Sequence, residues 1–385
     1  MSSKTVAPIG SPAWANAFLL AFVEAGYTHA RPPVLQPAEP FLDLSGEGIR
    51  KSLYLTSDPG SDELCLRPDL TIPVARDYLA SERAGEVAAF CYLGPVFRYR
   101  GAQPREFLQA GVESFGRHDR AAADADMLAL ACSATAAVGV TDIEIRTGDV
   151  ALFVALIDAL DLYPVWKRRL LKDFNRKRAL AQDLEDLTPA SGNGPNEYEG
   201  VLAALAGSDR KAALALVTDL MSIAGISNVG GRSVAEIADR FLEQSTLKGG
   251  ALPRDALQLI RRFLAISGTP DEALEQLRAL AADARLDITT AIDQFEDRIR
   301  LMAARGINLT ETHFSTSFGR GLDYYTGFEF ELVRKGNGTE PLMAGGRYDG
   351  LMSRLGARES IPAVGFSVWI EAFAETASAT SGSAS

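Results

Sequence analysis

The chain has 385 residues, 47% of them hydrophobic, so it can bury a sizeable core in about two or three domains. Its 50 acidic and 39 basic side chains give a net charge of −11, which disfavours broad nucleic-acid binding because polyanions are repelled. No apolar run reaches the roughly 20 residues of a membrane-spanning helix, and the first residues lack the order of a signal peptide. We therefore expect a cytoplasmic protein without membrane contacts.

The cysteines and histidines show no metal-binding or disulfide pattern. The three cysteines lie in apolar surroundings without CxxC spacing, which indicates buried free thiols. The three histidines have no HxxxH or HxH spacing. Neither GxxxxGK[ST] nor GxGxxG occurs, so a nucleotide-binding fold of those types is unsupported. The sequence predicts no metal site and no cofactor.

The first elements in chain order are a helix, a strand and a second helix. Ser11 and Pro12 predict the start of an amphipathic helix that Gly26 ends. Residues 63–68 read as a strand that leads into a turn, after which Thr71 is predicted to cap a helix.

Two long strands are predicted next, at residues 86–100 and 105–116, joined by the short polar link 101–104. A helix at 123–139 and a strand at 141–149 follow. The arrangement of the first two strands is that of a hairpin.

The composition between residues 151 and 305 changes to Leu, Ala, Arg and Asp at helical spacing, which predicts a helical insertion. Strand patterns return at 312–318, 324–333 and 362–369. We therefore expect the early and late strands to share one sheet.

The predicted domain organisation is accordingly discontinuous. Residues 1–150 and 306–375 would form one core domain, with 151–305 inserted into it, and the tail 376–385 is predicted to be disordered.

Polar side chains are set within strand-like segments that otherwise look buried. Gln109 and Glu113 are four residues apart, so in a strand they project from the same face, and a buried carboxylate there needs a partner. A sheet face with amide, carboxyl, guanidinium and phenol groups suits a small zwitterion such as an amino acid. The alternative is an ion-pair network that only stabilises the sheet. The complete set is Asp69, Thr71, Arg98, Arg100, Gln109, Glu113, Arg320, Asp323, Tyr324, Tyr325 and Tyr348.

The basic stretch at residues 166–180 has two interpretations. Its charges could contact RNA phosphates, but their spacing also fits the solvated face of an amphipathic helix, which we favour.

Four segments, taken in order, resemble the catalytic domain of class II histidyl-tRNA synthetases. They are LRPDLT (66–71), VFRYRGAQPREFLQAGVESFG (96–116), RGLDYYTGFEFE (320–331) and AGGRYDGL (344–351). GYTHARPPVL, with Pro33, is similar to the first motif of the class, which lies at a dimer interface, and PAVGFSVWIEAF is similar to the third. The resemblance implies an α/β (α+β) fold with a mixed, mainly antiparallel sheet flanked by helices.

The resemblance also implies a retained histidine pocket, although most synthetases have glutamate at the position of Asp69. A glutamate can accept a hydrogen bond from an imidazole N–H while a tyrosine hydroxyl serves the other nitrogen. The implied set is Asp69, Thr71 and Gln109 for the ammonium, Glu113 and Tyr325 for the imidazole, Arg320 for the carboxylate, and Tyr348 with Tyr324 for the wall.

The implied nucleotide site is vestigial. Arg98 matches an arginine that contacts the α-phosphate, but Arg100 stands where a glutamate reads adenine. Trp369 replaces the glycine over which adenine would lie, and Ala372 replaces the arginine that grips the terminal phosphates. Losing a cation that stabilises phosphoryl charge should be severe for activation chemistry. The residues after the third motif are also too few for the anticodon-binding domain of a synthetase.

This combination resembles the family of ATP phosphoribosyltransferase regulatory subunits, and we expect a chain without catalytic residues. The resemblance implies a homodimer within a hetero-oligomer, a short-form catalytic subunit as partner, and histidine as feedback effector in the first step of histidine biosynthesis. Two alternatives remain. One is a synthetase-like catalytic fragment that activates histidine, or an amino acid for another acceptor, with ATP. The other is a free-standing histidine sensor or RNA-binding module.

Overall fold

The computed structural model describes residues 13–44, 50–60, 62–101, 104–174, 180, 184, 254–320, 324–336 and 340–373. The chain divides into two compact units, one of residues 1–155 and 263–385 and the other of residues 156–262. Within the described ranges, no helix combines the length and the apolar character needed to cross a bilayer. The predicted disordered tail and about half of the predicted insertion lie outside these ranges.

The helices are α1 (Ala13–Glu24), α2 (Glu39–Leu44), α3 (Thr71–Leu79), α4 (Arg120–Ala137), α5 (Val150–Ala159), α6 (Pro164–Asp173), α7 (Arg254–Leu264), α8 (Pro270–Ala284), α9 (Thr289–Ala304) and α10 (Asp349–Arg354). The strands are β1 (Thr28–His29), β2 (Leu35–Pro37), β3 (Leu55–Ser57), β4 (Glu63–Leu66), β5 (Ala88–Phe97), β6 (Glu106–Phe115), β7 (Ile143–Asp149), β8 (Ser267–Gly268), β9 (Thr312–Ser315), β10 (Phe328–Arg334), β11 (Met343–Arg347) and β12 (Ala363–Trp369).

A nine-stranded sheet dominates the first unit, in the order β1-β5-β6-β12-β11-β10-β7-β9-β8. The β1–β5 and β7–β9 pairs are parallel and the other pairs are antiparallel. β5 and β6 form the predicted hairpin, and β12 lies between β6 and β11, so early and late strands share one sheet. The predicted fold class, mixed and mainly antiparallel with flanking helices, is confirmed.

Two hydrophobic clusters cover the sheet. One includes Phe18 of α1, Leu128 of α4 and Phe366 of β12. The other includes Ile72 of α3 and Leu351 of α10 together with several tyrosines. Side chains alternate across a strand, so polar residues that alternate with the first cluster point into the second one.

The ends of two helices test the predicted caps. Gly26 follows α1 with φ 94°, a left-handed conformation that favours glycine, so this prediction is confirmed. The predicted Thr71 cap is wrong, because α3 already includes Thr71. The Oδ1 atom of Asp69 accepts a hydrogen bond there from the N–H of Ile72 at 3.1 Å. The predicted start at Ser11 lies outside the described residues.

The boundaries of the compact units differ from the predicted domain boundaries. α8 and α9, which the sequence placed in the insertion, belong to the first unit. Arg298 of α9 explains this, because its Nε donates to Asp124 of α4 at 3.0 Å and its Nη1 donates to Asp149 of β7 at 2.6 Å. Both contacts are buried within the first unit.

Asp124 is the centre of this buried network, since it also accepts hydrogen bonds from Nε and Nη2 of Arg347 at 2.9 and 2.6 Å. We expect Asp124→Asn to lower the free energy of unfolding by about 3 to 5 kcal/mol, because two buried guanidinium groups lose their shared counter-ion. Urea denaturation measures this change. Glu296→Gln, which removes a half-exposed pair with Arg278, should cost less than about 1 kcal/mol. Equal losses in the two variants would contradict the role of Asp124.

In the second unit, α6 carries the basic stretch. Trp166, Leu170 and Phe174 are buried at intervals of four residues, whereas Arg168 and Lys172 are exposed. The amphipathic interpretation of this helix is confirmed for the described part of the stretch.

Candidate functional site

A cavity of about 170 Å³ opens on the sheet face that carries α3 and α10. Strands β6, β11 and β12 form its floor, and its walls come from the segment before α3 and the segment before β10. Its lining residues are Asp69, Thr71, Arg98, Gln109, Glu113, Arg320, Tyr324, Tyr325, Ala344, Tyr348, Gly365, Phe366, Ser367 and Trp369. The structure thus brings together all eight residues predicted to bind an amino acid, although they come from three distant parts of the chain.

Glu113 is the most enclosed acid of the cavity floor, with 1% of its surface exposed. Tyr92 donates to its Oε1 at 3.1 Å, and Tyr348 donates to its Oε2. Burial raises the pKa of Glu113 to about 8, although hydrogen bonds from Tyr348, Thr71 and Tyr92 lower it. A carboxyl poised near neutrality can accept a hydrogen bond from a ligand and can also balance a ligand's positive charge.

Glycines make the room that this carboxyl occupies. Gly365 of β12 lies opposite Glu113 in the sheet, and a Cβ added there would overlap the Oε2 atom of Glu113 and crowd the carbonyl oxygen of Val112. A Cβ at Gly111 would likewise overlap the hydroxyl of Tyr92. Glycine inside a strand often marks such a close approach.

The segment before α3 forms a polar wall with β6. Asp69 is buried, and burial raises the pKa of its carboxyl while the nearby Arg98 lowers it. Arg98 donates from Nε to the carbonyl oxygen of Pro68 at 2.6 Å. The amide oxygen of Gln109 accepts from the N–H of Leu70 at 3.0 Å, which fixes this segment over β6. Asp69 and Arg98 therefore offer opposite charges on one side of the cavity.

The opposite wall carries a cation and an aromatic group. Arg320 lines the cavity, and its Nε and Nη1 atoms are buried with no hydrogen-bond partner in the described part of the chain. Its guanidinium carbon lies 5.2 Å from the ring centroid of Trp369, within the range of a cation–π interaction. The rings of Tyr324 and Tyr325 pack 5.0 Å apart beside it. An anionic group that enters the cavity would give Arg320 the partner that its buried nitrogens need.

The four residues assigned to a vestigial nucleotide site do not all line the cavity. Arg98 and Trp369 line the cavity, whereas Arg100 and Ala372 do not. The guanidinium carbon of Arg100 lies 3.9 Å from the ring centroid of Phe107. Ala372 packs against the hydrophobic cluster on the α1 side of the sheet.

Arg100 is also anchored at the edge of the molecule. Its Nη2 donates to the carbonyl oxygen of Pro104 at 3.0 Å and lies 3.5 Å from Oε2 of Glu371. It covers one face of Phe107, and that face is consequently closed to a stacked base.

Sequence reasoning missed several lining residues. Ser367 lines the cavity, and its hydroxyl lies 3.1 Å from that of Tyr92, a residue outside the lining that completes the hydrogen-bond chain under Glu113. The sequence feature that could have indicated them is the pair Gly111 and Gly365, because glycine inside a strand often marks a close approach of another group.

Comparison with known proteins places these motifs in a family. A family model described as Histidyl-tRNA synthetase matches residues 13–237 and 214–373. The ATP phosphoribosyltransferase regulatory subunit of Brucella anthropi is 41% identical over 342 residues, which cover 88% of this chain and 90% of that protein. The protein of the same name from Brucella canis is 40% identical over 341 residues, with 88% and 90% covered.

Solved structures agree with the fold. A protein from Bacillus halodurans described as an ATP phosphoribosyltransferase regulatory subunit/histidyl-tRNA synthetase superposes with a TM-score of 0.64 at 21% identity, covering 97% of this chain and 84% of that chain. Histidyl-tRNA synthetase from Nostoc sp. superposes with a TM-score of 0.61 at 18% identity, with 97% and 75% covered. The family model covers most of the chain, and the regulatory subunits match the chain at about 40% identity. This chain therefore belongs to the histidyl-tRNA synthetase-like family and, within it, to the ATP phosphoribosyltransferase regulatory subunits.

Proposed function

We propose that this chain is the regulatory subunit of an ATP phosphoribosyltransferase, and that it binds histidine in the cavity and transmits feedback inhibition to a short-form catalytic partner. The transfer of the phosphoribosyl group to ATP takes place on that partner. This chain is required for the activity and supplies no catalytic group. It forms a homodimer through its first motif within the hetero-oligomer.

The observation that carries the proposal is the composition of the cavity. Asp69 faces Arg98 on one wall, Arg320 has unpaired buried nitrogens on the other, and Glu113 lies on the floor. An amino acid with a basic ring supplies an ammonium for Asp69, a carboxylate for Arg320 and a ring nitrogen for Glu113. Histidine is the amino acid with those groups.

Feedback follows if the complex has an active and an inhibited arrangement. Histidine can shift their equilibrium only by the difference between its affinities for the two. We propose that a filled cavity fixes the segments before α3 and before β10, and that this form of the subunit belongs to the inhibited arrangement.

Reconstitution tests the first half of the proposal. The subunit is mixed with a short phosphoribosyltransferase chain from the same genome, and consumption of ATP with phosphoribosyl diphosphate is followed. We expect turnover only when both chains are present. Full turnover by the catalytic chain alone, or none with both chains present, would refute the requirement for this subunit.

A synthetase-like activity is the second candidate, since Arg98 still lines the cavity. ATP–pyrophosphate exchange in the presence of histidine measures this activity directly. We expect no exchange above background, because the indole of Trp369 lines the cavity and leaves little room for ATP. Robust exchange would establish the catalytic alternative.

A further inference from the structure

Glu329 of β10 is a fully buried carboxyl next to the Arg320 wall of the cavity. Its Oε2 accepts a hydrogen bond from the backbone N–H of Arg320 at 3.0 Å, and its Oε1 has no partner among the described residues. Its neighbours in the sheet are Gly346 of β11 and Gly148 of β7, neither of which has a side chain that could pair with it. Burial of a half-satisfied carboxyl is costly, so a position like this one calls for an explanation.

Arg320 also has buried side-chain atoms without hydrogen-bond partners among the described residues. Two of its guanidinium nitrogens are buried and unpaired in the described structure, and they belong to the group that lines the cavity. When Glu329 is ionised, it and Arg320 are therefore opposite charges in one buried region, and each still has side-chain atoms without a partner in the described structure. Charges interact strongly in such surroundings.

The other charged groups near Glu329 are accounted for. Burial raises the pKa of Glu329 to about 8, the charge of Arg320 and its N–H lower it, and Asp149 and Glu331 raise it further. Asp149 of β7 is held by Arg298, and Glu331 lies 3.5 Å from Arg146. Among the described residues, Arg320 is the cation that acts on Glu329.

We propose that Glu329 is a positioning residue whose ionised form competes with a ligand carboxylate for Arg320, and that this ionised fraction takes up a proton from solvent when the carboxylate binds. The inference rests on the proposed function, because it takes the ligand to be an amino acid. An ionised Glu329 and a ligand carboxylate would compete for one guanidinium group. Protonation of Glu329 removes this competition, and the protonated carboxyl can still accept the hydrogen bond from the Arg320 N–H.

The proposal predicts a specific pH dependence. About a tenth of Glu329 is ionised in the free protein at pH 7 and about nine tenths at pH 9, given a pKa of about 8. Glu329→Gln keeps the shape and the acceptor oxygen but cannot ionise. We expect the variant to bind histidine as tightly as the parent at pH 7 and about tenfold more tightly at pH 9.

Calorimetric titration of the full chain with histidine tests this, at pH 7, 8 and 9 in two buffers of different ionisation enthalpy. At pH 8 the parent should take up about half a proton more per histidine than Glu329→Gln. Glu296→Gln, a surface change on α9 that removes the pair with Arg278, should behave as the parent. Histamine, which lacks the carboxylate, should show no difference between parent and Glu329→Gln.

The parent protein gives a second readout that does not depend on the variant's folding. After correction for the ionisation of each free ligand, it should take up more protons with histidine than with histamine. Histidine binding with equal proton uptake in all these comparisons would overturn the inference alone. No histidine binding to the parent would overturn both the inference and the proposed function.

Discussion

Glu113→Ala should weaken histidine binding by about 100-fold or more, because an imidazole N–H that is buried without its acceptor costs about 1 to 3 kcal/mol, and more when the ring is charged. The hydroxyls of Tyr92 and Tyr348, which both donate to this carboxyl, lose their acceptor with and without histidine, so that loss lowers the stability of the variant rather than its affinity. Calorimetric titration of the folded variant with histidine measures the effect.

Two further variants make the result interpretable. Glu331→Ala removes a carboxyl that lies on β10 and pairs with Arg146, so histidine affinity should not change. Gly365→Ala retains Glu113 but places a methyl group where its Oε2 lies, so the loss of affinity should be similar. Unchanged binding in Glu113→Ala would show that the cavity is not the histidine site.

Raising the pH from 7 to 8.5 should destabilise the ligand-free subunit. Burial raises the pKa of both Glu113 and Glu329 to about 8 from an ordinary value of 4.5. The folded state therefore keeps protons that the unfolded state has already released. Their contribution is complete below about pH 4.5 and is lost as the pH rises through about 8. Near pH 7 the slope is on the order of 1 kcal/mol per pH unit for each group.

Urea denaturation between pH 7 and 8.5 measures this dependence. Burial lowers the pKa of His29 from 6.5, so His29 makes stability rise with pH, but only near and below pH 6.5. It therefore contributes little between pH 7 and 8.5. Glu113→Gln should reduce the slope, and the double variant Glu113→Gln/Glu329→Gln should reduce it further, leaving the contribution of Asp69, whose pKa burial also raises. A parent protein whose stability does not change from pH 7 to 8.5 would contradict the buried, protonated state of these carboxyls.

The sequence predicts which residues of β6 face the cavity, because the two-residue period of a strand fixes the side of the sheet on which each side chain lies. Gln109 and Glu113 are four residues apart on one strand, and both line the cavity. Spacing of this kind holds whatever the neighbouring strands are.

Other features depend on tertiary contacts that periodicity does not encode. α9 was recognisable as a helix, but its place in the first unit depends on Arg298, whose partners lie 174 and 149 positions away in the chain. Both Asp69 and Thr71 can accept a hydrogen bond at the start of a helix, and only the structure shows that Leu70 is the N-cap residue and that Asp69 accepts from the N–H of Ile72. Glu329 fits an ordinary strand pattern, and its relation to Arg320 is visible only in three dimensions.

The two halves of the third motif also separate in space. Trp369 lines the cavity beside Arg320, whereas Ala372 lies in the hydrophobic cluster on the other face of the sheet. The binding-only interpretation of the cavity therefore depends more on Trp369 than on Ala372.

Inhibition of the assembled transferase by histidine shows whether the cavity is the regulatory site. Complexes containing the parent subunit or Glu113→Ala are titrated with histidine, and each rate is scaled to the rate of the same complex without histidine. The account predicts progressive inhibition of the parent complex and at least about a 100-fold higher histidine requirement with Glu113→Ala. Identical inhibition curves for the two complexes would contradict it.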